Sequence, residues 1–217
     1  MAEPVTRRTD THVVMGELGA YERYKLMASL IVPRPIALVT TVDAAGVVNA
    51  APFSMFAMVG EDPPLVMISL DRCRGGTRKD TAANIEATGE FVVHLVDEPI
   101  ARQTHDCGAA YPPGVDETRE VGFTTLPCAQ VAPPRIAEAP VAFECTLHER
   151  GTTESREVFF GRIEHLWARA GLIDRERWHV SLTDYHPVGR FGASFYVTSR
   201  DRFALGDDAR RTEIDSL

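Results

Sequence analysis

Four positive charges fall within eight residues at Arg72-Cys73-Arg74-Gly75-Gly76-Thr77-Arg78-Lys79. They run straight into a stretch that reads as a short helix, Ala82–Thr88, with Thr81 able to cap its start and Gly89 its end. A helix start offers unpaired backbone N–H groups and the positive end of the peptide dipoles. Arg78 and Lys79 beside it make chemistry suited to a phosphate. Asp80 would repel that phosphate, so it is expected to point away, toward an arginine or the helix start. A solvated basic loop ahead of a capped helix explains the same spacing, and the glycine pair does not meet the GxxxxGK[ST] pattern.

The second stretch with chemical content is Asn49-Ala50-Ala51-Pro52-Phe53-Ser54. The two alanines let a planar ring come close to the backbone. Pro52 cannot donate to a ladder, which marks a bulge or a strand edge. Asn49 and Ser54 could then orient a ligand by hydrogen bonding. An irregular edge strand with ordinary polar residues is the competing reading. Thr40 and Thr41 are neighbours on one strand, so their side chains point to opposite faces and at most one faces a given ligand.

Other chemistries find little support. The seven histidines are scattered, with no HExxH or HxH pattern, so no metal site is expected. His105-Asp106-Cys107 suggests a thiolate pair, but residues this close in sequence usually point apart, and no catalytic role is assigned to them. No GxSxG elbow and no GxGxxG after a strand occur. The four cysteines form no CxxC pair and read as reduced thiols. A net charge of −8 argues against general nucleic-acid binding. The apolar runs are too short to span a bilayer, and the first ten residues lack an apolar signal core, which points to a cytoplasmic protein.

The elements that must carry these stretches are mostly strands. A helix is expected over about Ala20–Leu30, with Tyr24, Met27, Leu30 and Ile31 at helical spacing and Pro33-Arg34-Pro35 ending it. Ile36–Val42 and a strand from Val47 form a hairpin across Asp43–Gly46. Leu65–Leu70 and Phe91–Val96 read as strands, and Asp97–His105 as a helix with Pro99 in its first turn. Val141–Glu149 and Arg156–Trp167 read as a hairpin turning at Gly151-Thr152-Thr153. Asp174–Trp178 is expected to be a short helix and Phe195–Val197 a last strand. The result is a mainly β chain with short helices, an antiparallel sheet closed or nearly closed into a barrel. Residues 1–20 read as a flexible segment, 21–200 as one domain and 201–217 as a polar tail.

Taken as a set, these residues resemble the flavin reductase-like family, with its FMN-binding split β-barrel. The matching run is Pro33–Thr41, Gly46, Asn49–Ser54, Asp62–Pro64, Ser69, Lys79–Thr81, Asn84 and Gly89–Phe91, then Pro187–Gly192 with Tyr196. The resemblance implies a homodimer with FMN near the dimer interface. It implies that Asn49, Ala50, Ala51, Pro52 and Ser54 line the isoalloxazine. Lys79 and Thr81, in the run Arg78-Lys79-Asp80-Thr81, would hold the phosphate. Arg34, Thr40 and Thr41 would border the cofactor, and Arg190 would approach the flavin or stabilise the interface. The loop around Cys73 is more basic than the family's usual one, which leaves phosphate contacts by Arg72, Arg74 or Arg78 open.

The expected activity is NAD(P)H-dependent flavin reduction, with hydride passing from a transiently bound nicotinamide to the flavin. Such chemistry needs no side-chain acid or base. FAD in place of FMN, and a partner monooxygenase or electron-transfer protein, are also compatible with the sequence. The rival expectation is an FMN-containing electron carrier or sensor without a nicotinamide site of its own. A third is a flavin-free binding protein.

Overall fold

The computed structural model describes residues 10–72, 78–112 and 114–203. Residues 204–217 of the expected tail, the first nine residues, and residues 73–77 of the basic loop lie outside the described residues. A 3₁₀ turn at Met15–Glu17 precedes helix α1 (Ala20–Leu30), which is followed by the short strand β1 (Arg34–Pro35). Strands β2 (Ala37–Val42), β3 (Val48–Phe53), β4 (Phe56–Glu61) and β5 (Pro64–Asp71) follow. Helix α2 (Asp80–Thr88) leads to β6 (Glu90–Leu95), and α3 (Ala101–Asp106) and α4 (Glu117–Glu120) come next. A two-residue pairing of β7 (Thr125–Leu126) with β8 (Arg135–Ile136) precedes the long hairpin β9 (Val141–Thr152) and β10 (Arg156–Ala168). Three short pieces close the chain: the β11–β12 pair (Ile173–Asp174, His179–Val180), β13 (Val188–Arg190) and β14 (Tyr196–Thr198).

Seven strands form one antiparallel sheet in the order β3-β2-β6-β9-β10-β5-β4. Its topology forces curvature. β3 and β4 are the two outermost strands, yet only Ser54 and Met55 separate them in sequence. The sheet must curl until its edges meet at that link, and the Ser69 N–H donates to the Met55 carbonyl there at 2.9 Å. The result is the antiparallel split barrel expected from the sequence.

Alternation along β2 and β3 divides the interior in two. Val39, Phe53, Ile68, Leu70, Phe91 and Phe159 pack inside the barrel, where Ala82 and Ile85 of α2 plug it. Ile36, Leu38, Ala50, Ile100, Cys107 and Ile136 pack on the other face. Gly161 of β10 has a packing reason: a Cβ there would stand 2.3 Å from the Phe91 ring. His94 ties the two faces together. Its Nδ1 lies 2.9 Å from the Leu38 carbonyl and its Nε2 accepts from the Ile136 N–H at 2.9 Å, so the ring is neutral. Burial lowers its pKa to about 4.

Several boundaries differ from the sequence-based expectation. The hairpin turn lies at residues 153–155 rather than at Gly151, because β9 runs on through Thr152 to pair with Glu157. Residues 175–178 form turns joining β11 to β12, not a helix. Asp97–His105 divides into a 3₁₀ turn at Glu98–Ile100 and α3. α1 has the expected bounds, but only Ala28 is buried; Tyr24, Met27, Leu30 and Ile31 are 47–76% exposed. No helix of the described residues is long and apolar enough to cross a membrane.

Candidate functional site

The N-terminus of α2 is fastened to the β2–β3 hairpin by a buried polar network. Thr41 Oγ1 accepts from Asn49 Nδ2 at 3.2 Å and from Asn84 Nδ2 at 3.0 Å. Asn49 Nδ2 also donates to Thr81 Oγ1 at 2.9 Å. All four residues are buried, so these bonds form away from competing water and hold the helix start in one place. Thr81 lies inside the helix rather than capping it. Lys79 holds the cap position, with no side-chain cap bond. A lysine cannot accept a hydrogen bond, so the helix start keeps its donor character.

The two basic residues before this helix have different surroundings. Arg78 grips Glu157 with two bonds, Nε to Oε2 at 2.9 Å and Nη2 to Oε1 at 2.8 Å, and also pairs with Glu86. The Glu157 bonds, and then those to Glu86, raise the Arg78 pKa, while its hydrogen bond to Arg78 holds Glu86 below the usual carboxylate range. Arg150 joins the same two carboxylates. The Lys79 ammonium, half-buried, has no hydrogen-bond or ion-pair partner among the described residues. Asp80 is exposed in the first turn.

The Asn49–Ser54 segment lies on an edge strand, as Pro52 suggests. Asn49, Ala51 and Phe53 face the barrel interior and α2, whereas Ala50 belongs to the opposite apolar cluster. Side chains from this segment therefore cannot all face one ligand. The outward N–H of Ala50 donates to Glu117 Oε2 at 2.8 Å, and Pro52, two residues on, has none. The edge is thus closed to strand pairing at those positions. Burial raises the Glu117 pKa. Nothing in the local sequence pattern pointed to Glu117 as the partner of Ala50, because 67 residues separate them. Thr40 turns the other way from Thr41, donating to the Pro134 carbonyl at 2.6 Å.

The Pro52–Ser54 end of the strand is ringed by contacts. A Cβ on Gly108, just past α3, would stand 3.2 Å from Pro52. His105 Nδ1 lies 2.8 Å from the Tyr196 hydroxyl, and the Arg190 guanidinium lies over the Tyr196 ring at 4.8 Å. Arg34 stands opposite Arg190 in the β1–β13 ladder, and its Nε reaches Ser54 Oγ at 3.4 Å. His105 is thus placed by Tyr196 rather than by Cys107. The Cys107 thiol is buried, with burial pushing its pKa up to about 12, so it is no nucleophile. The structure brings Thr41, Asn49, Lys79 and Thr81 together at one end of β3, and Arg34, Ser54 and Arg190 at the other.

The description of a flavin reductase like domain matches residues 27–186. A protein of Aquifex aeolicus (strain VF5) is 38% identical over 184 residues, covering 85% of this chain and 93% of its own. Among solved structures, the 2-nitrobenzoate 2-nitroreductase NbaA of Pseudomonas fluorescens is 38% identical, with a TM-score of 0.83 over 90% of this chain and 95% of that one. Nitrilotriacetate monooxygenase component B of Bacillus cereus is 30% identical, with a TM-score of 0.85 over 91% of this chain and 100% of that one. The α2 start, with an ammonium that has no partner among the described residues beside free helix N–H groups, fits the phosphate of a flavin nucleotide. The chain belongs to the flavin reductase like family.

Proposed function

We propose that this chain is an FMN-binding oxidoreductase that draws hydride from NADH or NADPH and passes it to a soluble acceptor. The observation that carries this reading is the Lys79 ammonium, without a partner among the described residues at the uncapped start of α2. Bound flavin supplies hydride transfer at its ring. The protein's own task is to bind and orient. Lys79 and the first α2 N–H groups suit the phosphate, with Arg78 keeping Glu157 and Glu86 neutralised behind them. Thr41, Asn49, Asn84 and Thr81 hold that helix start against β3. Pro52 leaves its stretch of the strand edge without a donor, so a ring can lie against the backbone there, and Asp80, Ser54, Arg34 and Arg190 border the same strand and its ends.

The exposed apolar side chains of α1, with Phe191 and Phe195 also exposed, suit burial against a second copy. A homodimer is part of the proposal, and sedimentation or light scattering tests it. The thiols of Cys107, Cys128 and Cys145 are free, which suits a reducing cytoplasm.

To test the reading, the purified protein is loaded with FMN and titrated anaerobically with NADH and with NADPH. Bleaching of the flavin band by either donor supports it. A flavin that neither donor bleaches fits an electron carrier served by another protein, and a protein that takes up no flavin refutes the proposal outright. The resemblance to NbaA favours a second reading of the acceptor step, in which a small molecule is reduced at the bound flavin. The resemblance to component B favours release of reduced flavin to a partner monooxygenase. The flavin dissociation rate before and after reduction separates these two.

A further inference from the structure

Arg34 and Arg190 face each other across the β1–β13 ladder. Like charges directly opposite in a sheet repel and weaken the pairing. Among the described residues, no carboxylate relieves this pair. Arg34 Nη1 is anchored on the carbonyls of Ala28 and Ile31, and Arg190 Nη2 on that of Ala193. These neutral partners aim the guanidiniums without cancelling their charge. The α1 C-terminus offers Arg34 a favourable dipole, and the Tyr196 ring 4.8 Å from the Arg190 guanidinium offsets part of its charge without neutralising it. Arg34 Nη2 and Arg190 Nε and Nη1 keep no hydrogen-bond partner among the described residues. In a chain of net charge −8, Arg78, Arg150, Arg169 and Arg200 all found carboxylates.

The pair is also built, in that its neighbours require particular backbone. A Cβ on Gly189 would stand 3.0 Å from Pro33 Cβ and 3.2 Å from the Arg34 carbonyl, so glycine lets the two strands close. Ala193, a non-glycine residue at φ 41°, turns its carbonyl onto Arg190. Strain of this kind concentrates where structure serves a ligand. Tyr196 is the cross-strand partner of Arg190, and its hydroxyl is fixed by His105 Nδ1. Arg34 links the pair to the strand edge through Ser54.

We propose that Arg34 and Arg190 form an oxyanion subsite that holds the carboxylate of a small organic acid as acceptor. The N–H groups left free on the two guanidiniums can each donate a charge-assisted bond to an oxyanion, and an anion here would offset the repulsion across the ladder. The acceptor assignment rests on the flavin reading above; the anion site itself does not. A phosphate of the nicotinamide donor or of the flavin presents the same chemistry, so the test must separate the three sources.

Benzoate and benzamide are titrated calorimetrically into the flavin-loaded protein and into Arg190→Gln and Arg190→Lys variants. The proposal predicts that benzoate binds at least about tenfold more tightly than benzamide. It predicts that Arg190→Gln loses that preference and Arg190→Lys keeps part of it. Equal binding of the two probes, or benzoate binding untouched by Arg190→Gln, overturns it. So does a variant that loses only its preference for FMN over riboflavin, or only its affinity for NADPH relative to NADH, because the anion is then the flavin's or the donor's phosphate. Thermal unfolding of each variant confirms that it is folded. A protein that takes up no flavin yet binds benzoate through Arg190 would keep the anion subsite and refute the flavin reading, whereas one that binds flavin and ignores benzoate would refute the subsite alone.

Discussion

Replacing Lys79 with alanine removes the one charge at the α2 start that no described carboxylate neutralises. The helix itself should persist, because its first turn is held by the Thr41–Asn49–Thr81–Asn84 bonds and not by the lysine side chain. A charge-assisted bond to a phosphate contributes about 1.5–3 kcal/mol. At about 1.4 kcal/mol per tenfold, the FMN dissociation constant should rise roughly 10- to 150-fold. Half-burial of Lys79 and the surviving helix N–H groups place the expected value toward the lower end. Fluorescence quenching gives the constants for FMN and, in parallel, for riboflavin, which lacks the phosphate. The variant should bind riboflavin as the parent does and lose only the FMN advantage. An unchanged FMN constant, or equal losses for both ligands, would refute a phosphate role for Lys79. Arg78→Ala provides the contrast: its main effect should be on stability, since it leaves Glu157, 5% exposed, with Arg150 as its remaining ion-pair partner.

Thr41→Val removes the acceptor shared by Asn49 and Asn84 and should lower unfolding free energy by about 1–3 kcal/mol in urea titrations; no change would mean the amides find other partners. His94 titrates near 4 when folded and about 6.5 when unfolded. The unfolded chain therefore binds more protons between those values, and stability present above pH 6.5 is lost as pH falls toward 4. The loss should reach about 2 kcal/mol at pH 5, with that portion of the slope absent in His94→Gln. Gly161→Ala drives a methyl into the Phe91 ring and should destabilise by about 1–3 kcal/mol, with Phe91→Leu restoring part of it. Cys107 should resist thiol reagents at pH 8 until the protein unfolds; rapid labelling of the native protein at that residue would contradict its burial.

The parts of the fold legible in the sequence are those set by local rules. The bounds of α1, the β2–β3 hairpin, the edge position of Pro52 and the opposed faces of Thr40 and Thr41 all follow from periodicity, turn residues and the missing proline donor. What escaped depends on distant partners. Arg78 looks like a phosphate ligand in its own loop, but Glu157, 79 positions on in β10, meets its guanidinium. Thr81 looks like a cap until Asn49 reaches it from β3. Nothing near Ala50 names Glu117. The apolar stripe of α1 predicted a helix correctly but gave no sign that the stripe would lie open, because periodicity tells which residues share a face and not what covers it. The helix expected at Asp174–Trp178 failed for another reason: a five-residue stretch carries too little periodicity to separate a helix from a run of turns.

The central claim is that the chain binds FMN and exchanges hydride through it. The most direct measurement is the visible spectrum of the protein loaded with FMN and titrated anaerobically with NADH and NADPH. The account predicts one flavin per chain and loss of the oxidised flavin band with at least one donor. A protein that stays colourless in excess FMN, or a bound flavin that neither donor reduces, would contradict it.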